Sequence, residues 1–255
     1  AITDSLIPLV NTSAVDMADP SFLAGFINLS TNLFPADDYG LTLSDHGGGL
    51  EGGVIFTDSK DELESNGISV YKLESALAST DLYRDKDVST DGKFGVIFYS
   101  ACTMGSTELA YLTKDYYRYM IASEECTSGH DSYRHIISGL NYDVGHGATD
   151  VSIAKNIAMA YENNTESHHG FNDYIVGSIA AFSSEDMDNM REKINELAAE
   201  LSKILGNDDH SEEMKRDVFM AIRKASLSCY PTVGAFPEDS YGRYLEKTSY
   251  VDIGG

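Results

Sequence analysis

Two short stretches carry residue types and spacings that can do chemistry. In the first, the run Gly40–Ser44 (GLTLS) leads straight into Asp45-His46-Gly47-Gly48-Gly49. In the second, the continuous apolar run Gly95–Tyr99 (GVIFY) leads into Ser100-Ala101-Cys102-Thr103-Met104-Gly105. A cysteine attacks as its thiolate, and a neighbouring base or the positive end of a helix raises the thiolate fraction. Cys102 stands just before a predicted helix, whose start would supply that field. The glycines after His46 lack Cβ atoms, so a substrate carbonyl can come close to backbone N–H donors, as an oxyanion hole requires. Taken singly, a cysteine at a strand end reads as a small buried hydrophobe, and three glycines read as a turn. Their occurrence together at two strand ends makes Cys102 and His46 a candidate dyad.

That dyad forms only if the two strands are parallel neighbours, because the ligand crevice of an open α/β sheet lies beyond the carboxyl ends of its strands. The remaining pattern fits such a sheet. Residues 18–34 read as an amphipathic helix, with Asp19 and Pro20 as N-cap and first helical residue. Val54–Phe56 reads as a short strand and Leu73–Ala78 as a helical turn, within an exposed, loop-rich insertion over 50–93. Helices are predicted at about 106–117, 132–139 and 149–162, and strands at Tyr119–Ser123 and Tyr174–Phe182. Ser183 or Ser184 then caps a long helix to about 205, whose Met187, Met190, Ile194, Leu197, Leu201 and Ile204 form an apolar stripe expected to face a core. Ser211 would cap a last helix, and Tyr250–Ile253 would add a final strand. Strands alternating with helices give an α/β fold with a mainly parallel sheet. No linker or repeat divides the chain, so residues 1–255 read as a single domain with a mostly helical part at 184–249.

Composition narrows the function. The 255 residues are 42% hydrophobic and 23% charged, enough for a core and unlike a disordered chain. Asp and Glu number 41 against 18 Lys and Arg, a formal net charge of −23. No basic cluster could replace counterions on phosphate, so neither a nucleic acid nor an anionic membrane is an expected partner. The charge favours solubility and cationic substrates. No apolar run approaches the roughly 18 residues that span a bilayer. The chain starts at Ala1 without a signal peptide, which reads as trimming. The three cysteines, Cys102, Cys126 and Cys229, are too few and too widely spaced for a disulfide framework or a zinc pattern.

These motifs resemble those of the clostripain-like cysteine peptidases, within the caspase-like superfamily. The resemblance rests on Asp45-His46-Gly47-Gly48-Gly49, on Ala101-Cys102-Thr103-Met104-Gly105-Ser106 with Glu108 and Ala110-Tyr111, and on Ala122-Ser123-Glu124-Glu125. Upstream, Ala18-Asp19-Pro20, Leu23, Phe26-Ile27-Asn28 and Pro35-Ala36-Asp37 with Tyr39 also match. It implies a caspase-like three-layer α/β/α sandwich with a mainly parallel sheet, and a cysteine endopeptidase cleaving protein or peptide substrates. Cys102 would be the nucleophile and His46 the group that protonates the leaving amine. The N–H groups of Gly47 and Cys102 would stabilise the oxyanion. Basic P1 residues (Arg or Lys), bacterial secretion to the periplasm, cell surface or medium, and self-processing between the histidine and the cysteine are further implications. Lys60 is a candidate processing site. Calcium is used by clostripain itself and is left open here; no cofactor is otherwise implied.

The sequence departs from the family pattern in three places. Ser100 stands two residues before the nucleophile, where the pattern has Asp. His130 occupies a second acidic position, with Asp131 beside it. Those acids would anchor a P1 guanidinium, and a buried cation needs a paired carboxylate; Asp131 would serve after a one-residue shift. The pocket is thus either still basic-specific or re-specified, and a non-catalytic peptide-binding relative is the alternative function. Finally, the strand, helix and strand that open family members are missing, and residues 1–17 are too short to replace them. Either an upstream piece was removed or a separate N-terminal light chain supplies it.

Other signals are weaker. An α/β-hydrolase would need a Gly-x-Ser-x-Gly elbow, which is absent. Asp87-x-Ser89-x-Asp91-Gly92 resembles the front of an EF-hand loop, but its twelfth position is Phe98, so it reads as a turn. His168-His169 diverge on any regular element. Asn207-Asp208-Asp209 with Glu212-Glu213 reads as a solvated loop and helix start.

Overall fold

A computed structural model describes residues 16–56, 67–89, 91–124, 127, 139, 145–167, 179–206 and 211–228. In chain order its elements are α1 (Pro20–Leu33), β1 (Gly40–Ser44), α2 (Gly49–Gly52), β2 (Val54–Phe56) and β3 (Gly67–Ile68). Then come α3 (Val70–Ala78), α4 (Asp81–Arg84), β4 (Phe94–Ser100), α5 (Thr107–Thr113) and β5 (Tyr117–Ala122). The last described are α6 (Asp150–Ser167), β6 (Ala180–Ser183), α7 (Met187–Gly206) and α8 (Glu212–Ser228), with a short 3-10 turn before α7.

All seven residues of β4 are buried, which is why its sequence is apolar without alternation. It lies inside a four-stranded sheet of order β1-β4-β5-β6. β1 and β5 flank it in parallel, and β6 closes the far side antiparallel to β5. The sheet is mainly parallel, as expected. Its two faces follow from the period of two in β4. Ile97 and Tyr99 share one core with Leu41 and Leu43 of β1, Leu23 and Ile27 of α1, Leu73 and Leu77 of α3, and Leu109 of α5. Val96 and Phe98 share the other with Ile121 of β5 and with Ala154 and Ile157 of α6. Helices on both faces make three layers. Local caps agree with the sequence: Asp19 Oδ1 accepts the Ser21 N–H at 2.8 Å, and Ser211 Oγ accepts the Met214 N–H at 3.2 Å.

Two expectations are corrected. The described part of 50–93 is not an exposed insertion: Ile68, Val70, Leu73, Ala76, Leu77 and Leu82 are buried in the first core. Ser69 caps α3 by accepting the Lys72 N–H, and this short helix turns Tyr71, Lys72 and Ser75 outward, which disguised its apolar side. The stripe on α7 faces the core only at Met187; Met190 and Leu197 are exposed. A helix of 20 residues runs about 30 Å, far past strands of four to seven residues. Only its first turns reach the sheet layer, and the rest packs against α8.

At the amino ends of the parallel strands, Arg118 of β5 ties three segments together. Its guanidinium meets Asp38 before β1 at 2.6 Å, Asp91 before β4 at 2.5 Å, and Asp150 at the start of α6. Gly95 lets the aspartates in: a Cβ there would lie 2.5 Å from Asp38 Oδ2 and 2.9 Å from Asp150 Oδ1. Asp87, Ser89, Asp91 and Gly92 belong to a turn in which Ser89 Oγ donates to Asp91 Oδ1, and Gly92 takes a φ of 75°.

Candidate active site

The opposite end of the sheet carries the candidate chemistry. Ser44 and Ser100 are register partners at the ends of β1 and β4. His46 and Cys102 each lie two residues beyond that pair. The topology therefore delivers both to one sheet edge, as the sequence reading required.

Each loop is held by its own chemistry. After β4, Ala101 and Met104 are buried and anchor the turn, while Cys102 and Thr103 between them stay half-buried. Thr103 has a φ of 56°, a left-handed conformation that a β-branched residue adopts only under constraint. After β1, Asp45 Oδ2 accepts the Phe56 N–H at 2.7 Å, folding β2 back over the glycines. Gly48 N–H donates to Gly53 O at 2.8 Å, and Gly47 bridges Val54. That bridge is bonded through Gly48, not through the Gly47 amide.

Gly47 and Cys102 touch through their backbones. A Cβ on Gly47 would lie 2.1 Å from Cys102 O and 2.9 Å from Cys102 N. No side chain fits there, so glycine is required by close approach. The two amides assigned to the oxyanion thus sit on adjoining backbone. The His46 side chain is exposed, and Cys102 is half-buried and in no disulfide.

The Cys102 sulfur meets the loop after β5. Thr127 N–H donates to Sγ at 3.3 Å, and Thr127 Oγ1 lies 3.6 Å from Sγ. This loop is fixed against the β4–α5 turn where Gly105 N–H donates to Ser123 O at 2.8 Å. Asp45 stood in the sequence motif without a role, and Thr127 had no signal there; the pairing of β4 with β5 brings Thr127 to the site. One expectation changes here. The helix after Cys102 starts at Thr107, and its N-cap Ser106 accepts the Leu109 N–H. Helix-end fields fade within the first turn, and Cys102 lies four residues before this cap, whereas the Thr127 amide donates directly to the sulfur.

Ser100 is buried at the end of β4, where its Oγ accepts a 3.5 Å hydrogen bond from Ser44 Oγ. His130, Asp131 and Lys60 lie outside the described residues, as do all but the last residue of the predicted helix at 132–139, the predicted strand at Tyr250–Ile253, His168-His169 and Asn207–Asp209. Among the described residues no group of three or more His, Cys, Asp or Glu is placed to hold a metal ion. The aspartates that do converge are filled by the Arg118 guanidinium. The described residues therefore do not fit calcium, and no step below passes through it. No helix among them is long and apolar enough to cross a membrane.

The layered, mainly parallel α/β architecture is that of known C11 cysteine proteases. A secreted C11 cysteine protease from Bacteroides thetaiotaomicron, solved with an irreversible peptide inhibitor, is 20% identical with a TM-score of 0.50; the match covers 75% of this chain and 50% of that one. An inactive zymogen C11 protease from Parabacteroides distasonis is 24% identical with a TM-score of 0.50, over 80% of this chain and 49% of that one. A secreted C11 cysteine protease called iotapain, also from B. thetaiotaomicron, is 18% identical with a TM-score of 0.52, over 74% and 52%. This chain belongs to the clostripain family, Peptidase C11, whose pattern it matches over residues 4–252. It spans about half the length of these solved relatives. No curated protein matches it.

Proposed function

We propose that this chain is a cysteine endopeptidase working through Cys102 and His46, and that it cleaves after basic residues. The observation that carries the reading is the placement of His46 and Cys102, each two residues past the register partners Ser44 and Ser100, with Gly47 against the Cys102 backbone. Family membership supplies the reaction class. The Cys102 thiolate attacks the carbonyl carbon of the scissile bond, and the carbonyl electron pair moves onto oxygen. The Gly47 and Cys102 amides donate to that oxyanion. As the C–N bond breaks, imidazolium His46 gives its proton to the leaving amine and a thioester remains. A water, losing a proton to His46, then attacks the thioester and returns the thiol.

The pocket assignment is Ser100 with His130 and Asp131, Asp131 supplying the counter-charge for an Arg or Lys at P1. The net charge of −23 supports cationic peptides as substrates. The same reading assigns internal cleavage to Lys60, between β2 and β3, and a bacterial secreted or envelope location, as its relatives described as secreted suggest. An expected N-terminal light chain also belongs to it, supported by β1 being an edge strand of the described sheet.

The test is a fluorogenic peptide panel varied at P1, run with and without calcium on the wild type and Cys102→Ala. Cleavage after Arg or Lys that disappears in the variant is the expected result. Cleavage confined to other residues would mean a re-specified pocket. Silence throughout would transfer the chain to the peptide-binding alternative.

A further inference from the structure

We infer that Thr127 is a positioning residue for the nucleophile, its amide and hydroxyl together holding the Cys102 sulfur and favouring the thiolate. This rests on the peptidase reading of Cys102.

Two contacts from one residue converge on the sulfur: the amide N–H at 3.3 Å and the hydroxyl oxygen at 3.6 Å. The two differ in what they ask of the sulfur. An amide can only donate, and a thiolate accepts far better than a thiol, so this bond strengthens on ionisation. The hydroxyl can accept from S–H or donate to S⁻, so it serves both states and needs only a rotation between them. Hydrogen bonds made better to the charged form lower the pKa of an acid.

The placement is built into the sheet. β4 and β5 run parallel, with Phe98 beside Ile121, so the turns that follow them emerge side by side. Gly105 N–H donating to Ser123 O, with no room for a Cβ on Gly105 beside Glu124 N at 2.8 Å, fastens one turn to the other. Thr127 thus reaches the sulfur from a neighbouring strand, while the start of α5 is capped by Ser106.

The experiment follows iodoacetamide alkylation of Cys102 against pH in the full chain, by peptide mass mapping, for wild type, Thr127→Val and Thr127→Ser. Valine keeps the shape and the amide but loses the hydroxyl. The alkylation midpoint is expected to rise in Thr127→Val, with a rate at pH 7 roughly 3- to 10-fold lower, and to return towards wild type in Thr127→Ser. The amide is read separately, by nitrogen-15 resonance: the Thr127 N–H should shift with the same midpoint as alkylation. A Thr127→Val profile that superimposes on wild type, a serine variant that fails to restore it, or a Thr127 amide that does not titrate would each overturn the inference. Alkylation needs no turnover, so these outcomes are independent of the peptide panel. Loss of cleavage in Cys102→Ala with an unmoved Thr127→Val profile sinks the Thr127 role alone, and a silent panel with a moved profile sinks the peptidase reading alone.

Discussion

Ser44 and Ser100 are direct register partners on adjacent parallel strands, and the chain leaves both at the same sheet edge. Equal steps of two residues then reach His46 and Cys102. Parallel pairing makes this possible. In an antiparallel pair the same two segments would leave from opposite ends of the sheet, separated by the length of β4.

Replacing the dyad separates chemistry from folding. Cys102→Ala should abolish turnover and leave the circular dichroism spectrum and Tm near wild type. His46→Ala should lower kcat/KM by about 10²–10⁴, the span expected for losing an acid–base group. A His46→Ala enzyme with wild-type kcat/KM would remove His46 from the mechanism.

Gly47→Ala tests the backbone contact. The new methyl would sit 2.1 Å from the Cys102 carbonyl oxygen, so one loop must move. Overpacking of this kind costs about 1–3 kcal/mol, and displacing an oxyanion donor costs about 10²–10³ in kcat. Thermal melts and steady-state rates measure the two effects. Unchanged values for both would mean that the loops are not in contact.

The aspartates around Arg118 should respond to pH in opposite senses. Burial, aided by the neighbouring Asp150 carboxyl, raises the Asp38 pKa above its ordinary 3.8 despite the Arg118 bond. Burial pushes Asp91 up too, but hydrogen bonds from Arg118 and the Lys93 N–H outweigh it and hold the group below 3.8. The stabilising contribution of Asp91 is therefore present above 3.8 and lost as pH falls through its folded pKa. That of Asp38 is present below 3.8 and lost as pH rises through its folded pKa. At pH 7, Asp91→Asn should lower Tm, whereas Asp38→Asn should leave it unchanged or raise it. The reverse order in a melting experiment would contradict the assignment.

Tyr99 offers a stability test away from the chemistry. Its ring is fully buried in β4, and among the described residues its hydroxyl has no hydrogen-bond partner within hydrogen-bonding geometry. The nearby Thr113 hydroxyl donates to Leu109 O at 2.8 Å, so towards Tyr99 it can act only as an acceptor. An unmet buried hydroxyl costs about 1–3 kcal/mol, so Tyr99→Phe should raise the urea midpoint. A lower midpoint would show that the hydroxyl is satisfied.

The pattern of elements was legible where local rules suffice. The apolar run Gly95–Tyr99 announced a strand buried on both faces, and Asp19-Pro20 announced a helix start; both elements formed. α3 was legible as a turn at Leu73–Ala78, but its burial was hidden because four buried residues in nine, set among Lys, Glu, Ser and Tyr, leave little contrast in the sequence. The stripe on α7 misled for the opposite reason. Periodicity reveals that a helix has an apolar side but not whether a neighbour is long enough to cover it.

The sequence by itself determined the reactive types. A cysteine and a histidine each follow a strand, with glycines beside the histidine, because strand signals and motifs are local in the chain. Only the tertiary structure decided which strands are neighbours, and so that Gly47 meets Cys102 across 55 residues of sequence and Thr127 reaches its sulfur from 25 residues further on. Those contacts come from pairing register and loop packing between segments distant in the chain, and no local preference encodes them.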